Sequence, residues 1–405
     1  MKKLLVYQGD ESGCFLHRLL LPHEKMKELT SDFDITISNL EDFKTFEEKI
    51  AYIGTFDALV FHRLLPTGWM FNIKNQYPNI KTIMDMDDYW NLSQQHTAYS
   101  TYKIFNLSDS IKYHMAKSDL ITCTTDILRE KILPLNKNVV ILPNSLVPEG
   151  QFEPHDNPSR RIRFGLIGGS SHKRDIEMLD GLIKMMPQDM LDKVQFVLCG
   201  FDKGLIRTVD NNNQVTGVQQ MDWNEVCWTR FERILTDNYR TVSPEHEKFL
   251  KEFHVQYQYN DDEPYKRIWT KSIYRYMNSY DDIDILLAPL EDTEFNHCKS
   301  ELKLIEASVK NKCAIVSDVY PYKICGINMF DYGGNLNEDG NCIMVNNRKG
   351  AKGWFKAIKK VVESPDLRDL MRKNLAKLTA PEGEYNLETV TKRRIEEYKK
   401  LWENL

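Results

Sequence analysis

Two stretches of the chain gather residue types suited to anions. In Lys299-Ser300-Glu301-Leu302, a serine ahead of an amphipathic run predicts a helix N-cap, with free amide groups around Ser300–Leu302 where a diphosphate could sit. Lys299 adds a positive charge beside them. Glu306 follows about 9 Å further along a helix rising about 1.5 Å per residue, where a carboxylate could accept two hydrogen bonds from a ribose diol. The same spacing also fits an ordinary amphipathic helix with Leu302, Ile305 and Val309 in a core. The second stretch is Phe164-Gly-Leu-Ile-Gly168-Gly169-Ser170-Ser171-His172-Lys173-Arg174. Its glycines let the backbone approach a ligand, and three basic residues follow at a helix start. A purely structural turn would use the same glycines.

The first half carries other candidates. Gly9, Ser12 and Gly13 lie in a loop after the first predicted strand, with His17 and Arg18 close behind. His62 and Arg63 follow another strand, and Asp85-Met86-Asp87-Asp88 a third. Carboxylates clustered at a strand end suit either a divalent cation or the hydroxyls of a sugar, and they also suit a solvated turn capping a helix. Tyr320 and Tyr322, after a later strand, fit either nucleotide stacking or packing.

Such side chains need elements that bring strand ends together. Short aliphatic runs recur between amphipathic stretches at Leu4–Tyr7, Ile35–Ile37, Ala58–Phe61, Thr82–Met84, Leu120–Cys123 and Val139–Leu142. That alternation predicts a parallel sheet flanked by helices. It pauses at Pro143–Pro158, a stretch with four prolines, and resumes with Ile162–Ile167, Val194–Cys199, Ile283–Leu287, Ala314–Ser317 and Cys342–Val345. The expected domains are 1–150, Rossmann-like and on the acceptor side, and 151–385, Rossmann-like and nucleotide-binding. An elaboration around 200–280 includes a helical-looking Pro264–Tyr280, and a closing helix spans 386–405. Open parallel sheets bind ligands beyond the carboxyl ends of their strands, so two of them are expected to face a central cleft.

Composition narrows the classes. With 54 basic and 59 acidic residues, the net charge of -5 argues against a wholesale electrostatic grip on nucleic acid. The eight cysteines are scattered, without paired metal-ligand spacing, and read as reduced thiols of a cytoplasmic protein. The apolar run after Met1-Lys2-Lys3 is too short for a signal segment and reads as a strand. No stretch approaches the roughly 20 apolar residues of a membrane span, so any contact with an inner membrane face is expected to be peripheral.

The block Phe295-Asn-His-Cys-Lys-Ser-Glu-Leu-Lys-Leu-Ile-Glu306, followed by Lys312-Cys-Ala-Ile-Val-Ser-Asp318, resembles the donor-binding signature of family-4-type GT-B glycosyltransferases, in a divergent bacterial and phage branch. Gly168–Asp175, Trp228-Thr-Arg-Phe-Glu232 and Asp85–Trp90 are similar to that branch too. The resemblance implies an α/β GT-B fold and transfer of a hexosyl-type sugar from a UDP- or GDP-sugar, retaining and with no metal or other cofactor required. It implies that Glu306 binds the donor ribose and that Lys173 or Arg174, with Lys299, holds the diphosphate. Gly168, Gly169, Ser170, His172, Ser300, Glu301 and Leu302 complete the donor set. Without a metal, Asp87 and Asp88, with His62, become the catalytic or acceptor-orienting candidates. In one respect the chain departs from the family: its Glu-x7-Glu motif would place the sugar-contacting carboxylate eight positions before Glu306, where Cys298 stands, and neither Glu294 nor Glu301 has that register. The acceptor stays open among glycan, lipid-linked sugar, protein and modified DNA. A non-catalytic nucleotide-sugar-binding protein, a phage-type DNA-base glucosyltransferase and a nucleotide-sugar epimerase are the competing readings.

Overall fold

A computed structural model describes residues 1–201, 205–209, 215–220, 227–236 and 263–403. Contacts divide the chain into two compact units. One comprises Met1–Val147, Thr293–Ile305 and Leu378–Leu405; the other comprises Pro148–Asp292 and Glu306–Lys377.

The first unit is built on β1 (Lys2–Tyr7), β2 (Phe33–Ser38), β3 (Ala58–His62), β4 (Lys81–Met86), β5 (Leu120–Cys123) and β6 (Val139–Ile141). They form one sheet in the order β2-β1-β3-β4-β5-β6, and every pairing is parallel. Strands covered on both faces read as continuous apolar runs, as Leu4-Leu5-Val6 and Ala58–Phe61 do. The period of two still sorts them. Leu5, Leu59 and Phe61 enter one core, whereas Leu4, Val6, Ala58 and Val60 enter another that also holds Ile395 and Tyr398. The last two belong to the helix Leu387–Glu403, which covers that face beside the helix Leu21–Leu29.

The second unit holds β7 (Ile162–Ile167), β8 (Val194–Phe201), β11 (Tyr265–Trp269), β12 (Ile285–Ala288), β13 (Cys313–Ser317) and β14 (Ile343–Val345). Their order is β11-β8-β7-β12-β13-β14, again parallel throughout, and β9 (Leu205–Val209) with β10 (Val215–Gln220) makes a separate antiparallel hairpin. Counting the strands of the main sheet along the chain, this is the 3-2-1-4-5-6 arrangement of a dinucleotide-binding domain.

The predicted strands coincide with observed ones, but Pro264–Tyr280 is not a helix. Its first part is β11, where Tyr265, Arg267 and Ile268 are buried, and a 3-10 turn follows at Tyr276–Asp282. Aromatic and β-branched residues after a proline favour the strand here. The elaboration therefore lies between β8 and β11, and residues 202–204, 210–214, 221–226 and 237–262 of it lie outside the described residues. Segment 293–305, expected in the nucleotide-binding half, groups with the first unit.

Candidate functional site

In an open parallel sheet, ligands collect where the strand order reverses. In the second unit that point lies between β7 and β12. β7 runs into Gly168–Gly169 and the 3-10 turn Ser170–His172, while β12 runs into Pro289–Asp292. The two loops are tied together. Asp175 accepts the Glu291 backbone N–H at 2.6 Å with Oδ1, its Oδ2 lies 2.7 Å from Nδ1 of His172, and Arg174 pairs with Glu291 at 2.9 Å. His172 and Arg174 are thus engaged in shaping the loop, while Lys173 and Ser171 are exposed. The helix Lys173–Glu177 has only five residues, too few for a substantial dipole, so anion binding here rests on loop amides and Lys173. The Ser170 side chain lies outside the described set. Gly200, at the end of β8, explains part of the loop's shape. Its φ is +99°, and a Cβ there would stand 2.7 Å from the Gly168 carbonyl oxygen, an approach only glycine permits.

Glu306, in the same unit, is 1% exposed. Its Oε1 accepts from the Tyr276 hydroxyl and its Oε2 from the Tyr280 hydroxyl, both at 2.7 Å. Burial, then the Glu306 charge and hydrogen bond, push both tyrosine pKa values well up, so the phenols remain donors. Tyr322 is also buried, and burial with the charges of Asp175 and Glu306 raises its pKa. Tyr276 and Tyr280 were missed in the sequence, whereas Tyr322 was a candidate there. The spacing of Tyr276 and Tyr280, four residues apart, was their only signal.

The first unit's reversal point lies between β1 and β3. Gly9, Ser12 and Gly13 occupy the loop after β1, where Ser12 Oγ accepts the Phe15 backbone N–H at 3.2 Å and a Cβ on Gly13 would meet nothing within 4 Å. After β3, Arg63 adopts φ +55°, and Leu64 N–H bonds the His62 carbonyl at 2.6 Å, closing a tight three-residue turn. Such backbone is uncommon outside glycine and stores strain. The turn aims two side chains at β4's end: His62 Nε2 lies 2.8 Å from Asp87 Oδ1, and Arg63 reaches Asp87 at 2.6 Å, Asp88 at 2.8 Å and Cys14 Sγ at 3.6 Å. Burial would raise the Asp87 pKa, but Arg63 and His62 hold it well below the usual carboxylate range. So placed, Asp87 is a poor general base and a good acceptor for a hydroxyl or a developing positive charge. Asp88 is more open and also stands 3.5 Å from Lys299.

His17 and Arg18, the candidates behind the Gly9–Gly13 loop, are withdrawn from solvent. Both are buried in the π-helical segment Phe15–Leu20. Arg18 grips Asp85 through two 2.9 Å bonds and donates to Asn144 at 3.2 Å, and Asn144 donates to Ser300 Oγ at 2.8 Å. Thr122 donates to Asp85 as well. Ser300 is therefore not the N-cap. The helix is Leu302–Val309, and the Glu301 carbonyl accepts its first bond, from Leu304 N–H at 2.9 Å. Glu301 itself is buried, and desolvation lifts its pKa to about 7. Leu302 is half-buried, and the Lys299 ammonium lies 4.9 Å from the Phe295 ring centroid. Cys298 is a fully buried member of the first unit's core.

No family model and no curated protein sequence matches the chain. Solved structures do. Alr3699/HepE of Anabaena, solved in complex with UDP, aligns with TM-score 0.59 at 10% identity over 99% of this chain and 100% of its own. A glycosyltransferase from Rickettsia africae aligns with TM-score 0.60 at 11% identity over 100% and 99%. An alpha-glucosyltransferase solved with UDP-glucose and DNA containing an abasic site aligns with TM-score 0.56 at 10% identity over 98% of each chain. Likeness at this identity establishes the fold: two Rossmann-like α/β domains of the GT-B type with a C-terminal helix.

Proposed function

We propose that the chain transfers a sugar from a nucleoside diphosphate donor to an acceptor hydroxyl. The observation that carries this reading is the strand reversal between β7 and β12, which brings the Gly168–Gly169 loop to the Asp175–Glu291 tie on a fold whose relatives were crystallised with UDP or UDP-glucose. Loop amides at Gly168–Ser171, with Lys173, receive the diphosphate while Arg174 braces the loop through Glu291, and Glu306, oriented by Tyr276 and Tyr280, receives the ribose. The leaving group gains negative charge as the anomeric bond breaks, and amides and cations aimed at its oxygens stabilise that charge. In the first unit, His62, Asp87 and Asp88 orient the acceptor or meet the positive charge on the sugar, and Lys299 is assigned to the same cluster through its pairing with Asp88. Retention of configuration and independence from metal follow the family resemblance.

A screen of melting temperature against UDP-, GDP-, ADP- and CDP-sugars tests the reading, because a ligand that binds only the folded state raises its melting point by mass action. One class of donor should stabilise the protein and be slowly hydrolysed, with Glu306→Ala losing both effects. Stabilisation without turnover in any acceptor mixture would instead favour a binding protein. The DNA-bound relative keeps a modified-base acceptor in view. A mobility shift with duplex DNA at moderate salt separates it from the others.

A further inference from the structure

Cys14, His62 and Asp87 present a soft thiol sulfur, a borderline imidazole nitrogen and a hard carboxylate oxygen, and the three atoms lie within 4.8 Å of one another at half-buried positions in the first unit. They come from three elements: the chain after β1, the end of β3 and the end of β4. Thiolate, imidazole and carboxylate are together a zinc ligand set, and three protein ligands leave a fourth position open. Ligand atoms about 2.0–2.3 Å from a tetrahedral zinc stand roughly 3.4–3.6 Å apart, so about an ångström of side-chain movement suffices, with the 2.8 Å His62–Asp87 contact opening and the longer separations closing. We propose that Cys14, His62 and Asp87 form a binding site for a thiophilic divalent cation, zinc first among them.

Binding breaks the Cys14 S–H bond, places the sulfur electron pair on the metal and releases that proton to solvent, while the hydrogen that His62 Nε2 directs at Asp87 Oδ1 across 2.8 Å passes to Nδ1 and frees the Nε2 lone pair for the metal. It also takes Asp87 Oδ1 from Arg63, whose Nη2 lies 2.6 Å from it, while Arg63 keeps its 2.8 Å contact to Asp88. Arg63 is therefore the site's competitor: its guanidinium now supplies the positive charge that the metal would bring. The scattered cysteine spacing hides such a set, because its members are 48 and 25 residues apart and meet only through the parallel sheet. Zinc held there also withdraws His62 and Asp87 from the acceptor chemistry proposed above, so it inhibits. That corollary rests on the functional reading, whereas binding does not, and the two can fail separately.

The test uses the full chain, stripped by chelator and titrated with zinc against a chromophoric competitor, then with cobalt(II). The expected result is one zinc per chain and a thiolate-to-cobalt charge-transfer band. Outer-shell partners alone change metal affinity 10–100-fold, so losing a ligand in Cys14→Ala or Asp87→Asn should cost roughly a hundredfold and Cys14→Ala should abolish the band. Cys325→Ala, which alters another half-buried thiol, should keep both. Arg63→Gln should tighten binding. Melting curves identify any variant that fails to fold, and Cys14→Ser then replaces Cys14→Ala. Absence of stoichiometric zinc, or a band that survives in a folded Cys14 variant, overturns the proposal.

Discussion

At the scale of single residues, the chain spends its buried hydroxyls on orienting carboxylates. Tyr276 and Tyr280 fix both oxygens of Glu306, and a hydrogen bond to a charged group is worth about 1.5–3 kcal/mol. The double variant Tyr276→Phe/Tyr280→Phe should therefore weaken nucleotide binding by roughly tenfold or more in a calorimetric titration. Tightened binding would mean that the phenols compete with the ribose. Glu301 makes a different prediction. Its folded pKa of about 7 lies above the ordinary 4.5, and its Oε2 has no hydrogen-bond partner among the described residues. The folded state thus holds the proton more tightly than the unfolded chain. Stability is full below about pH 4.5, falls as the pH rises toward 7 and levels off beyond it, by an amount on the order of 3 kcal/mol. Urea melts from pH 5 to 8 should show that decline, and Glu301→Gln should flatten it. The sequence singled out His62, Asp87 and Asp88 as charged residues after apolar strands, and Glu306 by its spacing along a helix. It concealed Arg18's burial, since nothing local distinguishes a cation that meets a ligand from one that meets Asp85 some 67 residues away.

At the scale of elements, strand ends are what carry the chemistry, and two strained or crowded turns hold them. Gly200→Ala puts a Cβ against the Gly168 carbonyl at φ +99°. It should cost about 1–3 kcal/mol and depress donor binding along with the melting temperature, because the loop it displaces is the proposed phosphate cradle. Asp85→Asn leaves Arg18 as an uncompensated buried charge beneath β4 and should cost about 3–5 kcal/mol in urea denaturation, whereas Asp88→Asn, half-exposed, should cost under about 1 kcal/mol. Strands such as Leu120–Cys123 and Ile162–Ile167 were legible to the residue, since aliphatic, aromatic and β-branched residues dominate them even where Thr122 and Arg163 interrupt the apolar run. β11 was not. Arg267 in its middle reads as solvent-facing until Glu232, on the helix Cys227–Thr236, is seen to neutralise it inside the core.

At the scale of the whole molecule, two domains and a closing C-terminal helix were readable in the sequence, but which unit the later segments join was not. Segments 293–305 and 378–405 join the first unit through apolar and hydrogen-bonding contacts that no local pattern announces. A fragment ending at Val147 would leave Leu4, Val6, Val60 and Ile83 without Ile395 and Tyr398 over them. We expect it to aggregate or to show no cooperative urea transition, and to regain one when a peptide spanning 378–403 is supplied in trans. The same arrangement sets an order of events in the cell. Translation adds roughly 5–20 residues each second, so the ribosome finishes the first sheet long before it makes the helix Leu387–Glu403 that roofs it. The earliest-made sheet of this protein is the one that must wait longest for its cover, and a chaperone bound to nascent chains would find it there.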